Sequence, residues 1–100
     1  HYTIQAWQQG QMVGRAHGRF EPDSAFVIDK IEIDRRHRSR GYGSEMISAL
    51  RSKARSVRCK EFVFRRVMPD NLRAIGLYQS LGAKPIETQT HAFDFRLSPP

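Results

Sequence analysis

From Tyr2 to Gln8 apolar and polar residues alternate: Tyr2, Ile4 and Ala6 fall on one side, and Trp7 comes near the end of the run. A period of two sends successive side chains to opposite faces, so this segment predicts a strand. Gln9-Gly10-Gln11 supplies a turn. Met12 to Phe20 predicts a second strand, in which Gly14 and Gly18 weaken the pairing or mark a bulge. After a Glu21-Pro-Asp-Ser24 turn, Ala25 to Ile33 predicts a third. Strict alternation there puts Phe26 and Ile28 on one face and Val27, Asp29, Ile31 and Ile33 on the other, with Glu32 opposite Asp29. Three strands joined by short turns predict an antiparallel meander.

The period then changes. Ile47, Leu50, Ala54 and Val57 recur at helical spacing with Met46 beside them, so Gly43 to Val57 predicts an amphipathic helix. Lys60 to Val67, rich in Phe and Val, predicts a buried strand parallel to the one before the helix. Pro69-Asp70-Asn71 opens a second helix with Asp70 or Asn71 as N-cap, Ala74, Ile75, Tyr78 and Leu81 as its buried stripe, and Gly82 as its stop. Lys84 to Thr90 and Ala92 to Leu97 predict a closing pair of strands before a Ser98-Pro-Pro tail. The order β-β-β-α-β-α-β-β predicts an α/β chain: a mixed sheet with helices packed on it, one domain spanning residues 1–100. Parallel neighbours whose ends are not tied together splay apart, and a cofactor fits in the crevice beyond their carboxyl ends.

Composition narrows the function. Apolar residues at 39% and charged residues at 27% predict a globular chain with a modest core. No apolar run approaches the ~20 residues of a membrane-spanning helix, and the first residues do not read as a secretion signal. Cys59 is the one cysteine, which leaves no disulfide framework and no thiol-rich metal site. His17, His37 and His91 lack metal-ligand spacing, so no metal is expected. A reducing, cytoplasmic setting is the expectation. The chain begins at His1, and is expected to be trimmed from, or one part of, a longer polypeptide. A net charge of +7 predicts anionic partners: phosphate-rich cofactors, acidic acceptors or nucleic acid. Arg35, Arg36, Arg38, Arg40, Arg51, Lys53, Arg55 and Arg58 crowd one stretch, which favours a discrete anionic ligand.

That stretch joins a strand to a helix through Arg38-Ser39-Arg40-Gly41-Tyr42-Gly43-Ser44. The first N–H groups of a helix have no helical acceptor, and the helix dipole adds about half a positive charge there. Glycines let an anion approach the backbone closely, so a pyrophosphate site is predicted. Met46 stands where the dinucleotide fingerprint needs its third glycine, and no Gly-Lys-Ser/Thr follows, which excludes those two phosphate loops.

Arg38-Ser-Arg-Gly41-Tyr-Gly43 resembles the Arg/Gln-x-x-Gly-x-Gly/Ala element of the Gcn5-related N-acetyltransferases (GNAT), which holds the pyrophosphate of acetyl-coenzyme A. Asn71-Leu-Arg-Ala-Ile75-Gly-Leu77-Tyr78-Gln-Ser-Leu81-Gly82-Ala83 resembles the family's Asn-x-x-Ala-x-x-x-Tyr-x-x-Leu/Ala-Gly-Phe/Ala signature. Two motifs in the right order cover Ala25 to Ala83 and imply an acyl-coenzyme A N-acyltransferase-like fold. In this family the pantetheine arm lies along the strand before the loop. The resemblance therefore implies that the backbone of Ile31 and Ile33 bonds that arm, that the Ile31 N–H faces the thioester oxygen, and that residues Arg38 to Ser44 hold the pyrophosphate. It also implies that Asn71 reaches the cofactor and that Tyr78 approaches the sulfur.

The chemistry implied is direct transfer of an acetyl group to a primary amine. A phenol with a pKa of about 10 makes Tyr78 the acid for the leaving thiolate. The histone-acetyltransferase branch carries a glutamate where Val27 stands, whereas the polyamine branch carries a carboxylate at the place of Asp29. Asp29 is therefore the expected base, ahead of Glu32. Cys59 has no histidine beside it in any motif, which weighs against a nucleophilic role, and the resemblance implies no covalent enzyme intermediate. Family members usually begin with a further strand and two helices. A short member implies an open acceptor site suited to a protein N-terminus or lysine, or a site completed by a homodimer partner or a missing segment. The alternatives are a non-catalytic coenzyme A-binding regulator of a protein partner, and a nucleic-acid binder using the arginine loop. The aromatic residues occupy predicted core positions and leave no stacking platform, which weighs against the latter.

Overall fold

A computed structural model describes all 100 residues, His1–Pro100. Its elements are β1 (Tyr2–Gln8), β2 (Gln11–Phe20), β3 (Ala25–Ile33), α1 (Tyr42–Ser56), β4 (Glu61–Val67), α2 (Leu72–Ser80), β5 (Lys84–Glu87) and β6 (Phe93–Leu97). The strands form one sheet in the order β1-β2-β3-β4-β6-β5. Only β3 and β4 run parallel, joined by the α1 crossover; the mixed sheet and the element order are those expected.

One extra residue in β3 reorganises the sheet. Gly18 pairs with Ile28, but His17 pairs with Lys30, so Asp29 has no partner on β2. A single-residue bulge exchanges the faces of everything beyond it. Phe26 and Ile28 face the helices before the bulge, and Ile31 and Ile33 face them after it. Ile31 stands opposite buried Ala16, and Ile33 opposite Gly14. A Cβ on Gly14 would come within 2.7 Å of Ile33 Cδ1 and 3.1 Å of Met46 Sδ, so glycine is what lets Ile33 and α1 close over β2. The strict alternation read from Ala25 to Ile33 is thus corrected. Val27 and Asp29 lie on the outer face, and Glu32, paired across from Arg15, shares that outer face with Asp29.

A second irregularity sits at the same level of β4. Phe64 pairs with Phe95 and Val67 with Phe93, so Arg65 and Arg66 together face Asp94. Arg66 takes a positive φ of 55° and donates its N–H to Asp94 Oδ1 at 3.2 Å. The parallel pairing covers only Ala25–Ile28 against Glu61–Phe64. Both bulges therefore begin one residue past the last pair, Ile28 with Phe64, and from there the strands diverge. Asp29 and Arg65, the first residue beyond the fork on each strand, form an ion pair of 3.0 Å across its apex.

The core lies between the sheet and the two helices. Aromatic rings run through it in sequence, Tyr2 to Phe26 (centroids 5.0 Å apart), Phe26 to Phe62 (5.5 Å), Phe62 to Phe64 (5.3 Å) and Phe64 to Tyr78 (3.9 Å). From α1 come Met46, Ile47, Leu50 and Ala54. Val57 caps that helix and is only half-buried. On α2 only Tyr78 is buried; Ala74, Ile75 and Leu81 pack against the core with part of their surface free. That helix spends one flank on the crevice and so cannot bury a full stripe.

The ends of the elements follow their local chemistry. Asn71 caps α2, its side chain accepting from the Ala74 N–H at 3.2 Å. Gly82, at φ 90°, ends it, with the Ala83 N–H donating to Tyr78 O at 3.0 Å. A 3-10 turn over Arg35–His37, unforeseen in the sequence, is capped by Asp34. The fifth strand stops at Glu87 rather than Thr90. There the Thr88 hydroxyl donates to Ala92 O at 2.7 Å and accepts from the Thr90 N–H, offering the backbone a turn instead of a ladder. No helix is long and apolar enough to cross a membrane.

Phe62 has no exposed surface and touches the middle of the aromatic series. Phe62→Ala should cost about 3–5 kcal/mol, a large share of the ~5–15 kcal/mol typical of a whole domain. Guanidinium unfolding measures it; a loss below about 1 kcal/mol would contradict this core.

Candidate functional site

The diverging halves of β3 and β4 bound a cleft of about 940 Å³, closed further by the loop before α1 and the first turns of α2. The bulge at Asp29 also turns the backbone of β3. Before it, Ser24 O accepts from the Lys60 N–H, so the peptide groups of even-numbered residues point toward β4. After it, the Asp34 N–H donates to Val13 O at 2.8 Å, so even-numbered residues point toward β2. By the two-residue period, Ile31 and Ile33 then aim their N–H and C=O groups into the gap. Arg38 Nε donates to Ile33 O at 3.3 Å at the far end. A row of backbone donors and acceptors along an open edge suits an extended, amide-bearing ligand.

At the end of that row the chain turns into α1. Ser39 and Gly41 have positive φ angles of 65° and 85°. The Glu45 N–H makes the first helical bond, to Gly41 O at 3.0 Å. The six N–H groups from Ser39 to Ser44 donate to no acceptor in the protein. Unengaged N–H groups with a helix dipole behind them suit an anion. Gly41 permits the turn, and Gly43 has a different role. A Cβ on Gly43 would meet only ordinary contacts, Ile33 Cγ1 at 3.7 Å and Leu77 Cδ2 at 4.0 Å, so the fold does not require glycine there. A ligand lying on the backbone would. Of the expected loop residues, Arg38, Ser39, Gly41, Tyr42, Gly43 and Ser44 line the cleft; Arg40 adds its N–H, but its side chain stands outside the wall.

Tyr78 lines the same cleft from α2, stacked on Phe64, and its hydroxyl has no hydrogen-bond partner in the protein. Burial pushes its phenol up to about 12. Asn71 also borders the cleft; its Oδ1 is committed to the cap, which leaves the NH₂ free. Asp29 lies at the fork with Oδ1 on Arg65 at 3.0 Å and Oδ2 on Arg19 at 3.6 Å. The Lys30 ammonium, 2.9 Å from Glu32, holds that carboxyl below the usual range. The thiol of Cys59 is pushed up by burial and is not part of the cleft.

Arg65, Arg66, Arg73 and Lys30 on the cleft wall were not anticipated. The signal was present: Phe62-Val-Phe-Arg-Arg-Val67 interrupts an apolar strand with two adjacent charges, as a bulge does.

The family model of the acetyltransferase (GNAT) family matches residues 1–83. A comparison with curated proteins gives no match. Among solved structures, the chain is similar to Ard1 from Thermoplasma volcanium, with a TM-score of 0.74 at 22% identity over 88% of this chain and 62% of that one. It is similar to the ribosomal-protein-S18-alanine N-acetyltransferase from Escherichia coli, with a TM-score of 0.84 at 20% identity over 98% and 68%. A third is the PaiA N-acetyltransferase from Thermoplasma acidophilum in complex with coenzyme A, with a TM-score of 0.86 at 11% identity over 96% and 59%. At these identities the structures establish a shared fold, and the chain spans less than two thirds of the Ard1 protein's length.

Because no protein contact demands glycine at position 43, Gly43→Val should leave stability unchanged or raise it by a few tenths of a kcal/mol, roughly the propensity difference. The same change should weaken coenzyme A binding at least about tenfold in a calorimetric titration. Unchanged affinity would remove the ligand from this backbone.

Proposed function

The chain belongs to the acetyltransferase (GNAT) family, and from that premise we propose that it moves an acetyl group from acetyl-coenzyme A to a primary amine by direct attack. The observation that carries this is the run of six unengaged N–H groups from Ser39 to Ser44 at the mouth of a forked sheet. A diphosphate satisfies such a run, and the Ile31 and Ile33 backbone edge suits the amides of a pantetheine arm.

Acetyl-coenzyme A supplies the thioester carbon that the amine attacks. In our assignment the Ser39–Ser44 backbone grips the pyrophosphate, and Arg38 adds a positive charge beside it. Ile31 and Ile33 hold the arm, and the Ile31 N–H steadies the charge that develops on the thioester oxygen. Asn71 reaches the cofactor with its free NH₂. Tyr78 delivers the proton to the departing sulfur. Its phenol is raised to about 12, so it stays protonated across the working range and gives up its proton only as the thiolate forms.

Asp29 is our assignment for the base. A carboxylate already holding Arg65 and Arg19 takes the acceptor's proton through water rather than by direct contact. Glu32, held by Lys30 and Arg15 as Asp29 is by Arg65 and Arg19, is the poorer candidate because it stands past the apex of the fork. Direct attack is supported by the absence of a cysteine from the cleft wall. The fork joins both faces of the sheet, so a donor bound against α1 and α2 leaves the outer face for the acceptor. Neither α1 nor α2 lies on that face.

Two measurements test this. Tyr78→Phe should leave acetyl-coenzyme A affinity intact and lower kcat by about 10²-fold or more, the usual worth of a positioned acid. With the phenol titrating only as pH rises through about 12, kcat/KM should climb between pH 7 and 9 as the acceptor amine, with a pKa of about 10.4, loses its proton. A falling limb near pH 8, or a Tyr78→Phe enzyme of undiminished kcat, would contradict the assignment. Tight cofactor binding with no acetylation across a broad amine panel would turn the reading to a coenzyme A-dependent regulator.

A further inference from the structure

The fork end of the cleft carries more positive charge than the donor needs. Its cations sort by partner. Arg65 is paired with Asp29 and Lys30 with Glu32. Arg38 stands at the diphosphate end on Ile33 O, and Arg73, also without a partner, lies in the first turn of α2, off the forked strands. On the forked strands themselves Arg66 is the unpaired cation: it lines the cleft, its side chain is exposed, and its guanidinium has neither an ion pair nor a hydrogen bond.

The backbone under Arg66 makes that placement harder to attribute to folding. Arg66 sits at φ 55°, where an L side chain costs roughly 1–2 kcal/mol and glycine costs nothing. The bulge is pinned from the other side by Asp94, which accepts the Arg66 N–H. A conformation made for glycine therefore carries a long cationic side chain at the reacting end of the cleft. Of the carboxylates flanking the two bulges, Asp29 is committed to Arg65 and Arg19 and Asp94 to the bulge itself; Asp70, which also lines the cleft, makes no ion pair with Arg66.

We infer that the acceptor is an amine bearing a carboxylate, and that Arg66 is the residue that pairs with it. This rests on the acetyl-transfer function proposed above. The guanidinium selects acidic acceptors by forked hydrogen bonding.

The test is acetylation of matched acceptors that differ only by acid against amide: peptides beginning Asp or Asn, Glu or Gln, and small amino acids against their amides. The acid member should be preferred by about tenfold or more in kcat/KM, the worth of a charged hydrogen bond, and salt should erode the preference. Arg66→Gln should raise KM for the acid member to that of the amide while sparing kcat on the amide and the affinity for acetyl-coenzyme A. Arg66→Gly should lose the same selectivity yet melt at an equal or higher temperature, an outcome a purely structural arginine would not give. Acetylation without acid preference, or a preference that survives both variants, overturns this inference alone. Bound acetyl-coenzyme A with no acceptor turned over overturns the transfer function and this inference together.

Discussion

A parallel pair of strands that stays hydrogen-bonded to its end leaves no room between them. Here β3 and β4 are bonded for four residues each and then part, and most of the site depends on that parting. Its cause is local and doubled. Asp29 is an extra residue in β3, Arg65 and Arg66 make an irregularity in β4, and both fall just past Ile28 and Phe64. Each irregularity bends its strand and exchanges its faces. In β3 the exchange moves the Ile31 and Ile33 side chains onto the core and their peptide groups into the gap. One inserted residue thus repairs the core and opens the cleft in the same step.

The ion pair of Asp29 with Arg65 crosses the apex and fixes where the opening begins. Below it the aromatic series from Tyr2 to Tyr78 keeps the paired half of the sheet closed. Above it β3 and β4 are no longer hydrogen-bonded to each other, and α2 remains partly exposed along its crevice flank. Tyr78 belongs to both regions. Its ring is part of the core, which is why its phenol is desolvated and strongly held in the protonated form, while its edge borders the cleft.

Much of this was legible from residue order. The bounds of β1 and β3 match the alternation read from the sequence. Asn71 and Gly82 mark the ends of α2 as their side-chain chemistry and φ preference dictate. The glycine loop carries its N–H groups outward as its composition suggested. What local pattern missed was pairing. Ile28 and Ile31 are three residues apart, an odd step that a regular strand cannot place on one face, yet the bulge needed to reconcile them is defined by β2 as much as by β3. The same holds for Arg65 and Arg66, whose exposure to the cleft depends on the register with β6. Thr88 and Thr90 shortened the fifth strand through side-chain bonds that compete with the ladder.

The proposed function rests on a diphosphate-bearing ligand held by main-chain N–H groups at the mouth of this fork. Titrating ¹⁵N-labelled protein with coenzyme A and following each amide tests it most directly. The largest shifts should fall at Ser39 to Ser44, smaller ones at Ile31 and Ile33, and none along β1. Saturable binding that leaves the Ser39–Ser44 amides unmoved, or no binding at high micromolar ligand, would contradict it.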